Sequence, residues 1–287
     1  MPLCFFATDL HGSTHRYECL FESILRDSPD AVFLGGDLLP RVGQPLSSSS
    51  EEDCDFISNF LVPQCERIRQ AMAARYPRVF VILGNDDPRC EEESLCSAES
   101  KDIWRYVHGR KDSIAQFPVY GYACVPPTPF LLKDWERYDV SRYTPPASVS
   151  PEEGYRSVPV PGNHIQWGTI EKDLETLVGN DELEKAILLL HTPPAETRLD
   201  CAALDGMTYE HVPLDIHIGS IAVRRFIERK QPLLTLHGHV HESTRLTGQW
   251  MEQIGRTVCI NGAHDGPELA LVRFDPTSPM NATRQLL

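Results

Sequence analysis

The chain has 287 residues and a formal net charge of −14, with 41% hydrophobic and 24% charged residues. That is the composition of an ordinary soluble globular protein, long enough for one large α/β domain or two small ones. The acidic balance excludes a general phosphate-backbone binder and makes long nucleic acid the poorest partner, although a local positive site made by metal ions stays compatible with it. No apolar run reaches the roughly 20 residues that span a membrane. The nine cysteines are scattered, with no Cys-x-x-Cys pair. Neither a disulfide framework nor a zinc ribbon is indicated, and reduced thiols in a cytoplasmic protein are the simpler account.

The N-terminal residues lack a basic n-region and reach Asp9 too soon for a signal peptide, so residues 3–7 read as a first buried strand. Helical spacing follows over 14–25 through Tyr17, Leu20, Phe21 and Ile24, then a second apolar strand at 31–34. The polar run 44–53 reads as a mobile loop. A helix over 56–76 and a third strand at 78–83 come next. Strands alternating with helices imply a mainly parallel sheet covered on both faces. From 89 to about 167 the chain mixes Glu-rich, aromatic and proline-rich pieces. It reads as an elaborated region near the active face of a single domain spanning 1–287. Order returns with a helix near 169–178 and a buried strand at 185–190 that ends at His191. A long loop over 192–218 precedes a helix at 220–230, and loops of that length inside compact domains are usually functional. The apolar run 232–236 reads as a buried strand, and closing strands follow at 257–260 and 269–274.

Polar clusters follow five of these strands: Asp9-Leu10-His11, Gly36-Asp37, Gly84-Asn85-Asp86-Asp87, His191, and His239-Val240-His241. Each has a bland reading. Asp-x-His can cap the helix that starts near Ser13, and the glycine-containing clusters can be turns. Ligands of open α/β sheets gather at the carboxyl ends of strands, where all five clusters would converge. Alternate residues of an extended segment share a side, so His239 and His241 project together. His237 has the same parity, but Gly238 lets the backbone turn. Seven donors, Asp9, His11, Asp37, Asn85, His191, His239 and His241, are too many for one tetrahedral ion. They suit two ions bridged by a shared carboxylate. Mixed imidazole and carboxylate donors favour zinc, iron or manganese over calcium. Two ions about 3.5–4 Å apart clamp a phosphoryl oxygen and generate hydroxide at neutral pH.

In this order, Asp9-Leu10-His11, Gly36-Asp37, Gly84-Asn85, His191 and Gly238-His239-Val240-His241 resemble the five-part signature of the calcineurin-like metallophosphoesterases. The likeness spans residue 4 to about 241, and Asn261-Gly262-Ala263 resembles that family's ending. It implies a four-layer α/β/β/α sandwich, with two mixed β-sheets flanked by helices and a dinuclear site at one edge. It also implies hydrolysis of a small phosphate ester by a metal-bound hydroxide. Carried over by position, Asp9, His11, Asp37 and His241 hold one metal. Asp37, Asn85, His191 and His239 hold the other, with Asp37 bridging.

The chain departs from the family at its third motif, where Asp86 replaces a histidine that helps protonate the leaving group or bind phosphate. Family members with another residue there resemble active enzymes that often favour diesters, so a diester is slightly preferred over a monoester. Asp86 can act as a general acid if its pKa is raised, or it can orient a ligand. A second Gly-Asn-His at Gly162-Asn163-His164 follows a poor strand and reads as a decoy, unless His164 reaches the site and replaces the missing imidazole. His237 is a candidate to support the ligands or touch phosphate. Arg89, Arg198 and His217 are candidate substrate contacts by location. Two rival readings remain. An amidohydrolase-type enzyme places His-x-His after the first strand, the reverse of the order here. A catalytically altered scaffold that binds protein partners is expected to have broken ligand positions, whereas all seven are present.

Overall fold

The computed structural model describes residues 2–41 and 55–287. The run 44–53, expected as a mobile loop, lies outside the described residues. In chain order, β1 (Cys4–Ala7), α1 (Thr14–Asp27), β2 (Ala31–Gly35), α2 (Val62–Met72) and β3 (Arg78–Ile82) come first. Then α3 (Glu92–Glu99) leads to β4 (Arg105–Tyr106), β5 (Lys111–Ile114) and β6 (Phe117–Tyr122). The short α4 (Gly162–Trp167), α5 (Ile170–Val178) and β7 (Ile187–Leu190) precede the long loop, which holds a small hairpin of β8 (Thr208–Tyr209) and β9 (Val212–Pro213). After α6 (Ile221–Lys230), β10 (Leu234–His237) and α7 (Ser243–Thr247), the described chain closes with four strands. These are β11 (Met251–Ile254), β12 (Thr257–Asn261), β13 (Ala270–Phe274) and β14 (Thr283–Leu286).

The strands form two mixed six-stranded sheets, ordered β14-β13-β1-β2-β3-β4 and β11-β12-β10-β7-β6-β5. The inner strands are parallel, β1 with β2 and β3 in one sheet and β6, β7, β10 and β12 in the other. Alternation of side chains divides each strand between two environments. Phe6, Phe33 and Phe80 from one sheet, with Leu189, Leu236 and Ile260 from the other, fill the space between the sheets. Phe5, Val32, Leu188 and Leu190 turn outward and pack with helix residues such as Tyr17, Leu20, Leu174 and Phe226. The result is the helix-flanked double sheet that the family resemblance implies.

The alternation of strands and helices implied a mainly parallel sheet covered on both faces, without saying by what. Each sheet has helices on one face and the other sheet on its second. Continuous apolar runs mark burial on both faces but carry no sign of what covers each face. Part of the stretch 89–167 read as elaboration belongs to the sheets, as β4, β5 and β6. In β6, Pro118 and Gly121 interrupt the strand pattern, while β5, β11 and β14 are short and polar enough to escape it. The helix expected over 56–76 is broken into a wide turn at Ile57–Leu61, α2, and a tight turn at Ala73–Arg75. Pro63 has no N–H to donate back along the helix, which accounts for the wide first turn.

Phe33 is fully buried and stacks on Phe80 with ring centroids 5.0 Å apart. Phe33→Ala is expected to cost about 3–5 kcal/mol in chemical denaturation. A loss below about 1 kcal/mol would mean that the two sheets do not pack through this layer.

Candidate metal centre

The loops leaving β1, β2, β3, β7 and β10 meet at one edge of the sandwich. Asp9, His11, Asp37 and His239 sit there with left-handed backbone, at φ 55°, 47°, 51° and 69°. Side-chain-bearing residues rarely adopt this region, and it persists where surrounding contacts hold it. Here Asp9 N–H donates to Gly36 O (2.9 Å), His11 N–H to Asp37 O (2.8 Å) and Gly12 N–H to Leu38 O (2.9 Å), locking the first two loops together. Gly238 N–H donates to His191 O at 2.8 Å, joining the loops of the second sheet. His191 Nδ1 donates across to Gly35 O (2.8 Å), so one imidazole ties the two sheets at this edge.

Two sets of donors result. Ligand atoms of Asp9, His11, Asp37 and His241 all lie within 4.8 Å of one another. His11 Nε2 is 3.2 Å from His241 Nε2, which is 3.1 Å from Asp9 Oδ1, and the buried His11 Nδ1 has no hydrogen-bond partner. Two carboxylates and two imidazoles turned inward on one point suit a cation, and an oxygen and nitrogen set of this kind suits zinc, iron or manganese. In the second set, His191 Nε2 lies 3.1 Å from Asn85 Oδ1 and 3.4 Å from Asp37 Oδ2. The His191 and His239 rings are 5.4 Å apart. Because Nδ1 of His191 donates to a carbonyl, Nε2 is the nitrogen left for a ligand.

Burial and charge set opposing protonation states here. Burial opposes a charge on His191, but Asp37 outweighs it and raises the imidazole to about 10. Burial likewise opposes the Asp37 carboxylate, yet His191 and His11 hold it well below its usual range. Burial alone dominates for His11 and His239, pushed down to about 4 and about 3.

Asp86 joins this network. Its N–H donates to Asp37 Oδ1 (2.8 Å), while its Oδ1 accepts from Asn85 Nδ2 (2.9 Å) and its Oδ2 from Arg41 Nε (3.0 Å). Holding the Asn85 amide nitrogen turns the Asn85 oxygen toward His191. Burial and the nearby Asp37 raise the Asp86 carboxyl to about 6.

Sequence reasoning missed two residues. Arg41 stands in the cavity wall beside Asp86 and His11. Asp87, fully buried, accepts N–H groups from Leu38 (3.0 Å), Leu39 (2.8 Å) and Gly84 (2.9 Å), clamping the second and third loops together. The available signal for Asp87 was its place in Gly-Asn-Asp-Asp, which also reads as a turn. Gly84 has a steric reason, since a Cβ there would run into Asp37 Oδ1 and backbone nitrogen.

Other candidates fall elsewhere. His237 is fully buried, with Nδ1 on Thr192 O (2.8 Å) and Nε2 on Thr235 Oγ1 (2.7 Å), so neither nitrogen is left for phosphate. It supports the segment after His191 instead. His164 sits exposed on α4, outside the cavity lining. Arg89 pairs with Glu92 (3.1 Å) and lies over the Trp135 ring. Arg198 is exposed, its backbone N–H on Glu252, and likewise lines no part of the cavity. His217 does line it, with Nδ1 on the buried Asp200 at 2.8 Å.

The donor loops open into a cavity of about 600 Å³ lined by Asp37, Asn85, His239 and His241 at its base. A metal-liganding edge of this design on a helix-flanked double sheet defines a metallophosphoesterase. The family model described as Calcineurin-like phosphoesterase matches residues 4–243. The chain belongs to that family and is a metal-dependent phosphoric ester hydrolase. Its fold is similar to the crystal structure of TT1561 of Thermus thermophilus at 16% identity and a TM-score of 0.57, covering 99% of this chain and 98% of that one. A second crystal structure is similar at 16% identity and a TM-score of 0.59, covering 100% and 99%. At these identities the likeness concerns the fold. No curated protein sequence matches the chain. Among the described residues no helix is long and apolar enough to cross a membrane.

Imidazole must be neutral to bind a metal, so His191, raised to about 10, would lose its proton on acting as a ligand. Calorimetric titration of the metal-free protein with Mn²⁺ at pH 8, in two buffers of different ionisation enthalpy, is expected to show release of about one proton. Affinity should keep rising as pH climbs from 7 to 9. Absence of proton release would mean that His191 is already neutral.

Proposed function

We propose that this hydrolase acts on small phosphate esters through a two-metal centre, with diesters slightly favoured over monoesters. The carrying observation is the set of four donors within 4.8 Å of one another, of which Asp37 and His241 line the cavity. Asp9, His11, Asp37 and His241 would hold one ion, and Asp37, Asn85, His191 and His239 the other, with Asp37 shared. Manganese, iron and zinc fit these donors. Such ions, when bound, polarise phosphoryl oxygens and make water nucleophilic near neutral pH.

The protein's own groups do the rest. Asp87 fixes the loops that carry Asp37 and Asn85, and Asp86 orients Asn85. Arg41 stands where its guanidinium can fork onto a phosphate oxygen. His217, its Nδ1 held by Asp200, keeps Nε2 for a substrate oxygen on the cavity wall. Asp86 supports the diester preference by its charge. Above about pH 6 it places a carboxylate beside Arg41, where the family more often has an imidazole. A dianionic monoester meets that charge less favourably than a monoanionic diester does.

Asp37→Asn is expected to abolish Mn²⁺-dependent hydrolysis of generic monoesters and diesters, with the circular dichroism spectrum retained. Persisting activity in the folded variant would sink the shared-ligand role. Asp86→His is expected to move the monoester-to-diester ratio of kcat/KM toward monoesters, on the order of tenfold. An unchanged ratio would remove Asp86 from the account of preference.

A further inference from the structure

The cavity above the donor loops has two walls of unusual composition for a site that handles phosphate. One wall comes from the stretch between β6 and α4 and presents Pro126, Pro129, Phe130, Tyr143 and Pro146. The other comes from the loop after His191 and presents Leu204, Leu214 and Ile218. Phe130 and Tyr143 are 57% and 62% exposed, so large apolar surfaces line the cavity with nothing among the described residues packed over them.

Charge around the cleft is as uneven as polarity. Among the described lining residues, Arg41 is the one Lys or Arg side chain, and it sits at the metal end. Elsewhere the lining carries Glu196 and Asp215 on the second wall and Glu242 beside His241. A substrate bearing a second phosphate would bring that phosphate toward carboxylates, with no Lys or Arg among the described lining residues there to meet it. The charge pattern therefore admits one phosphoryl group at the base and an uncharged substituent along the walls.

The walls are also held in place before any substrate arrives. Lys133 and Glu136, both fully buried, pair at 2.6 Å. Glu136 accepts from the Thr128 N–H (2.8 Å) and hydroxyl (2.5 Å), while Lys133 Nζ donates to Thr128 O (2.9 Å). This network fixes the segment from Pro126 to Phe130. Trp135 Nε1 donates to Asp87 O (2.8 Å), fastening the same wall to the third metal loop. Asp139 accepts from the Ser220 hydroxyl (2.5 Å) and from Ile221 N–H (2.7 Å), joining the first wall to the start of α6. A cleft fixed on both sides can select by shape and polarity without first paying to order itself.

We infer that the physiological substrate is a phosphodiester with a single phosphoryl charge and one bulky, uncharged, apolar substituent that lies between these walls. The inference rests on the phosphoesterase reading and adds the substrate class to it. Alkyl and aryl groups share the required chemistry, and the test separates them.

The Mn²⁺-loaded protein is assayed by ³¹P NMR with four methyl phosphodiesters whose second substituent is methyl, hexyl, phenyl or 2-phosphonooxyethyl. The expected result is a kcat/KM at least about tenfold higher for hexyl or phenyl than for methyl, with the phosphate-bearing ester poorest. Preference for hexyl over phenyl assigns the cleft to a chain, and the reverse assigns it to a ring. The double variant Phe130→Ala/Tyr143→Ala, both exposed positions away from the core, is expected to shrink the ratio to methyl by several-fold. Equal kcat/KM for methyl, hexyl and phenyl, a best rate with the phosphate-bearing ester, or an unchanged ratio in the double variant would each overturn the proposal. If no ester turns over, the phosphoesterase reading fails, and binding then decides the class. Tighter calorimetric binding of hexyl methylphosphonate than of methyl methylphosphonate upholds the apolar cleft, and equal binding overturns it.

Discussion

The buried carboxylate of Asp37 is the constraint on which the active edge depends. It lies at the end of β2 with about 1% of its surface exposed, where an isolated charge is strongly disfavoured. Its oxygens are met by the Asp86 N–H at 2.8 Å and by His191 Nε2 at 3.4 Å, one group from each sheet. That requirement draws the loops of β3 and β7 onto β2. It also explains why Gly84 has no side chain, since Asp37 occupies the space. With the loops so close, Asp9, His11 and His239 adopt backbone conformations that a free turn would avoid.

Outside this centre lies a layer of buried groups whose hydrogen bonds determine the site's shape. Asp87 clamps two loops through three backbone N–H groups. His237 uses both ring nitrogens to hold Thr192 and Thr235, which keeps the chain on either side of it in register with His191. Trp135 connects the proline-rich wall to the same region by donating to Asp87 O. Positioning of donors and shaping of the cavity are therefore parts of one hydrogen-bonded assembly. A disturbance of the wall reaches the loop after β3 directly.

Much of the edge was legible before the fold was known because each donor cluster follows an apolar run. Parallel strands in a double-sheet α/β fold present their carboxyl ends together, so order along the chain translates into nearness in space. Legibility stopped at residues whose role depends on a partner distant in sequence. His237 shares parity with His239 and His241, yet its fate was set by Thr192, 45 positions earlier. The Gly162-Asn163-His164 run spells a motif but falls on a short exposed helix, where spelling carries no geometry. Arg41 and Asp87 sit inside loops, and nothing in their local spacing separates them from ordinary turn residues.

The amino-acid sequence by itself determined the principal strand cores, the family, and which polar residues end those strands, since these follow from local apolar runs and the residues that close them. Only the tertiary structure decided which side chains of each strand face the other sheet and which face helices, that Asp86 orients Asn85 and pairs with Arg41, and that the cavity walls are apolar and acidic. The reason is physical. A buried strand looks the same from sequence whether a helix or another sheet covers it, and a carboxylate's role depends on which donors folding brings within about 3 Å of it.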